Sequence, residues 1–135
     1  MAQRQTTFYS SVLNLADADS AATGRTIDVR DFRHLVLSIA ATAFTGTVKI
    51  QGAIEDTAPT FSSAQSATNM WDYIQSVDLQ SGLAIDGDTG ISVAGASNDF
   101  RLVEVNTNGL AYITVTATAK TAGAVLVKAK LFDNQ

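Results

Sequence analysis

The chain has 135 residues, 46% hydrophobic and 16% charged, with a net charge of −4. That length suits one domain, and that balance excludes a disordered chain. Absence of cysteine excludes disulfides and thiolate metal sites, and nine scattered basic residues argue against nucleic acid as the main ligand.

Residues 1–24 are read as an N-terminal arm or a first strand, with a strand pattern over 7–15 and a small, polar loop over 16–25. They lack the continuous apolar core of a signal peptide, and no segment of the chain reaches the length of apolar run that a membrane span needs. The expectation is therefore a protein made in the cytoplasm, with no membrane partner.

From residue 25 onward the hydrophobic pattern has period two. In 33–42, Leu35, Leu37 and Ile39 share one face, and Val36, Ser38 and Ala40 share the other. Val48, Ile50 and Ile54 alternate with polar residues in 47–55, Ile113 and Val115 do so in 111–119, and Val125, Val127, Ala129 and Leu131 oppose Lys128 and Lys130. Such alternation buries one side of a strand. The predicted strands are 7–15, 25–30, 33–42, 46–56, 72–80, 90–94, 100–106, 110–119 and 123–132. Turn signals separate them at "FTG" (44–46), "SGLAIDGDTG" (81–90), "GASND" (95–99), "NTNG" (106–109) and "KTAG" (120–123), and the last makes 110–119 and 124–132 a hairpin. Many short strands at this spacing predict an all-β fold: a single-domain β-sandwich over 25–135, jelly-roll-like, with about eight strands. The stretch 56–70 holds the only proline, Pro59, lacks alternation, and is long enough to suggest a partner-contacting loop.

Candidate chemistry is sparse. "DGDTG" (86–90) places Asp86 and Asp88 one residue apart. A twelve-residue calcium loop starting at Asp86 would need a glycine at position six and a glutamate at twelve; Ile91 and Ser97 stand there. A turn is the simpler reading, and a looser calcium cage using Asp86 and Asp88 is the alternative. His34 is the only histidine and sits in an apolar strand. No G-x-S-x-G or phosphate-binding glycine loop accompanies it, so no catalytic residue is assigned and no cofactor or metal is expected. Trp71 and Tyr73, in "MWDYIQ", share a strand face and serve as core, as a subunit contact or as a sugar-stacking platform. Phe8 and Tyr9, in the arm, join them as candidate partner contacts.

Three phrases carry a resemblance. They are "DFRHLVLSIAATAFTGTVKIQGAIED" (31–56), "ATNMWDYIQSVDLQSGLAIDGDTGISVAG" (67–95) and "DFRLVEVNTNGLAYITVTATAKTAGAVLVKAKLFDNQ" (99–135). Together they resemble a family of small virion structural proteins of tailed bacteriophages. The resemblance implies a non-enzymatic β-sandwich, first a capsid decoration or cement protein on the capsid exterior. Its partners would be the major capsid protein and itself, as a homotrimer, with the arm reaching a neighbour by strand addition. A head fibre base, a tail component and a carbohydrate-binding module are the alternatives.

Overall fold

The computed structural model describes residues 5–133, and every element among them is extended. The strands are β1 (Thr6–Leu15), β2 (Ile27–Asp28), β3 (His34–Ala53), β4 (Asp72–Tyr73), β5 (Ser76–Asp78), β6 (Ala84–Ile85), β7 (Ile91–Asn106) and β8 (Tyr112–Phe132). All pairings are antiparallel, in one sheet ordered β1-β8-β3-β7-β5-β6, with β2 on β8 and β4 on β3. The fold is all-β and single-domain, as the alternation predicts. Among the described residues no helix is long and apolar enough to cross a membrane.

The three longest strands differ from the sequence expectation in continuity. β8 runs unbroken from residue 112 to 132, so 110–119 and 124–132 are not a hairpin. Both halves pair with β3 instead: Val127 lies opposite Ile39, and Val115 opposite Ile50. "FTG" and "GASND" are likewise not turns between strands but interruptions within β3 and β7. The physical reason is that a bulge and a turn need the same backbone. Gly95 (φ 72°) and Gly123 (φ 82°) lie in the left-handed region, and so do Ala43, Ala96 and Ala119, with φ of 47°, 51° and 53°. A bulge admits an extra residue, bends the strand and resets which positions face inward. In β3 the buried residues are odd-numbered before it (Leu35, Leu37, Ile39, Ala41) and even-numbered just after it (Phe44, Val48, Ile50), and from Ile50 to Ala53 every residue is buried.

Because β3, β7 and β8 bend at the same level, the sheet folds over on itself as a sandwich. One layer holds 34–42, 97–106, 124–132 and β1; the other holds 45–53, 91–94, 112–118, β2 and β4. Side chains from both meet in one core that includes Leu37, Phe44, Val103, Ile113 and Val127. Strands that switch layers through bulges make such corners. On the outer flank of β8 the corner is bridged by the loop after β1. There the Lys120 ammonium donates to the carbonyls of Ala16 (3.2 Å), Asp17 (3.0 Å) and Asp19, while the Asp17 carboxylate accepts the Gly123 N–H at 2.9 Å.

One other segment departs from expectation, and the strand expected over 7–15 is present as β1. The predicted strand 72–80 is split: β4 pairs with β3, and β5 pairs with β7 and β6. Residues Thr6–Leu15 pair with β8 along one edge of the sheet, with a bulge between Tyr9 and Leu13. Residues 1–4 of the expected arm lie outside the described residues.

Candidate interaction surfaces

The first surface follows from strand alternation. With Leu35, Leu37, Ile39, Val103, Val105, Val125, Val127 and Ala129 buried inward, the residues between them face out. They stand in rows across the sheet. Ala40 lies between Phe100 and Leu126, Ser38 between Leu102 and Lys128, and Val36 between Glu104 and Lys130. Phe8 continues the last row beside Lys130. Phe100 is 65% exposed, Leu102 51% and Phe8 60%. Single exposed apolar residues are ordinary, but adjacent ones on a rigid sheet form a patch. Leu79 extends it, its N–H bonded to the Leu102 carbonyl at 3.0 Å. The small side chains of Ser38 and Ala40 leave an open groove beside Phe100, Leu102 and Leu79.

One edge of the groove is fixed by charge. Arg101 donates to Asp99 at 2.6 Å and to Asp78 at 3.4 Å, tying β7 to β5. The Asp99 hydrogen bond raises the Arg101 pKa, holding the guanidinium charged. Asp78 also accepts the Gln80 N–H at 2.9 Å, closing the turn that places Leu79 at the groove. Sequence reasoning placed Ser38 and Ala40 on one strand face but named no residue of this groove as a candidate contact. Its signal was present: in 100–105 large apolar residues stand on both strand faces, Phe100 and Leu102 on one and Val103 and Val105 on the other, and one domain core takes only one of them.

The second surface is the excursion between β3 and β4. Trp71, 6% exposed, packs with Phe61 and Ala53, flanked by Tyr73 and Tyr112. Its ring lies 5.1 Å from Tyr73, edge-on, and its Nε1–H donates to the Ser63 carbonyl at 3.0 Å. The sequence pairing of Trp71 with Tyr73 thus becomes a ring contact, and Trp71 keeps no open face for a sugar. Lys49 places its ammonium 4.6 Å from the Tyr73 ring. The buried Gln51 donates to the Phe61 carbonyl at 2.9 Å. Asn69 accepts from the Thr60 N–H (2.8 Å) and donates to the carbonyls of Thr60 (3.0 Å) and Ala64 (3.1 Å). Ile54 and Met70 project from this end, exposed.

The remaining candidates are dispersed. Asp86 lies in the turn between β6 and β7, where its carboxylate accepts the Thr89 N–H (3.0 Å) and hydroxyl (3.2 Å). Among the described residues no three His, Asp or Glu side chains are grouped to hold a metal around it or Asp88. His34 stacks on Phe132 at 5.3 Å, with Nδ1 buried and unbonded. Asp28 and Arg30 form an exposed pair at 2.5 Å, and that hydrogen bond lowers the Asp28 pKa. Tyr9 packs against the core and carries the Arg25 guanidinium 5.0 Å from its ring, whereas Phe8, one residue away, points to solvent.

No family model and no curated protein matches the chain. Among solved structures it is similar to the SPBc2 prophage-derived protein YomS, with a TM-score of 0.64. The likeness covers 98% of this chain and 97% of that one at 12% identity. At that identity what is shared is the fold, from end to end.

Proposed function

We propose that this chain is a non-enzymatic structural component of a bacteriophage particle, in the first instance a decoration protein that binds the outside of the assembled shell. The observation that carries the reading is the fold shared over nearly the whole length with a prophage-derived protein. The sequence resemblance over 31–135 supports it, and so do Ile54 and Met70, large apolar side chains exposed at one end of the molecule. Its partner would be the major capsid protein, and its place of synthesis the host cytoplasm.

The mechanism is mass action. A ligand that binds the assembled state and not its free parts stabilises assembly by RT ln(1 + L/Kd) per site, where L is its free concentration. Repeated modest contacts around a symmetric shell add avidity without any single strong site. A rigid block suits this, because binding then orders few side chains. The excursion that carries Ile54 and Met70 offers a fixed end for such contacts.

The test is cryo-electron microscopy of particles from the source virus, with the protein tagged at its C-terminus. Density on the outer shell between capsomers supports the decoration role. Density at a head fibre base or on the tail keeps the virion assignment and rejects decoration. Absence from purified particles rejects both.

A further inference from the structure

We propose that the outer face of β8, β3 and β7 is a self-complementary interface that pairs two copies of this chain face to face about a two-fold axis. The occupant is argued from the charge pattern. In these three rows β3 contributes Val36, Ser38 and Ala40 to the middle of the face, with His34 and Thr42 following on the same side at either end. On the β7 flank stand Phe100, Leu102 and Glu104; on the β8 flank stand Leu126, Lys128 and Lys130. Neighbouring strands are about 4.8 Å apart, so within one copy Glu104 and Lys130 are separated by about 10 Å, with Val36 between them. Among the described residues no ion pair takes Glu104, Lys128 or Lys130. Across these rows the β7 flank carries one carboxylate beside two large apolar side chains, the β8 flank carries two ammonium groups beside Leu126, and the middle column is made of small and apolar side chains.

A two-fold axis lying in the interface along β3 exchanges the flanks. It carries β7 of one copy over β8 of the other at the same level. Glu104 then meets Lys130 of the second copy, Leu102 covers the Lys128 methylenes, and Phe100 meets Leu126. Two-fold symmetry makes each contact occur twice. The low column of Ser38 and Ala40 gives Phe100 and Leu102 room to lean inward. Lysine stems lying on apolar surface with the ammonium at the rim are a usual arrangement at such a boundary. The product is a dimer, in place of the trimer that the family resemblance implies. The inference does not depend on the virion assignment.

The experiment uses the full chain in solution, with mass measured by light scattering across a dilution series and folding followed by circular dichroism. The expected mass is twice that of the protomer. E104K and K130E, each placing like charges opposite one another twice, should weaken dimerisation about tenfold or more. Mixing these two variants in equal parts should restore the dimer, because every cross-contact in the mixed pair joins opposite charges. A wild-type protomer mass, a three-fold mass, or a dimer that neither variant weakens overturns the proposal. So does failure of the mixture to recover. Because no particle is involved, these outcomes are separate from the labelling experiment above.

Discussion

The three long strands and the excursion between β3 and β4 are held by different physics. In β3, β7 and β8 the backbone pairs along nearly the whole length and the inward side chains are hydrophobic, so stability comes from burial shared over both layers. In the excursion the chain is polar, and named side chains hold the backbone in place: Asn69, Gln51, Gln65 and the Trp71 indole all bond to carbonyls there. The first region tolerates no change of backbone at its bends. The second depends on single hydrogen bonds.

The contrast is sharpest at Gly123. A Cβ there would lie 2.2 Å from the Ala43 carbonyl oxygen, on a residue with φ of 82°. Clash and left-handed strain add, so Gly123→Ala should destabilise the fold by about 4 kcal/mol or more in denaturant unfolding. A loss under about 1 kcal/mol would mean the two strands are not pressed together at the bend. In the excursion the largest polar effect falls on Asn69. Asn69→Ala removes the partner of the Thr60 N–H and of the Ala64 carbonyl, leaves the Thr60 carbonyl its bond from the Ser63 N–H, and, because these groups are exposed, should cost about 1 kcal/mol. Hydrogen exchange should rise over 58–71 and stay unchanged in the core strands. A uniform rise would mean the two regions are one cooperative unit.

The smallest effect is at the exposed pair Asp28 and Arg30. The Arg30 hydrogen bond holds the Asp28 carboxyl below the usual carboxylate range. A pKa lowered by folding gives stability that is present above the unfolded value and lost as pH falls through the folded one. Arg30→Gln should move the Asp28 titration up toward the ordinary carboxylate value, read by NMR. Because both side chains are half exposed, the change in acid stability should be slight. A large loss of acid stability would mean the pair does more than its exposure allows.

Much of the extended structure was legible in the sequence, because alternation marks inward positions such as Leu35, Val115 and Val127 wherever they pair. Continuity was not legible. Gly95 and Gly123 have the conformation a hairpin turn would need, and Ala43, Ala96 and Ala119 reach positive φ with no compositional sign of it. Whether a left-handed residue ends a strand or bends it depends on the neighbouring strand, which lies far away in sequence. The same holds for Lys120, whose carbonyl partners lie about a hundred residues earlier. The excursion was legible as a loop, but its anchoring by Asn69 was not, since asparagine is common in loops of any kind. The outer face was half legible. Strands with large apolar residues on both faces, such as Phe100 and Leu102 against Val103 and Val105, announce surplus hydrophobic surface without saying which side the core takes.

The central claim is that β3 and β8 are single bent strands that pair with each other on both sides of the corner. Interstrand NOEs in the labelled protein test it directly. The fold predicts backbone contacts from Val115 to Ile50 and from Val127 to Ile39, with none joining 110–119 to 124–132. Cross-peaks between those last two segments, with loss of either contact to β3, would contradict it.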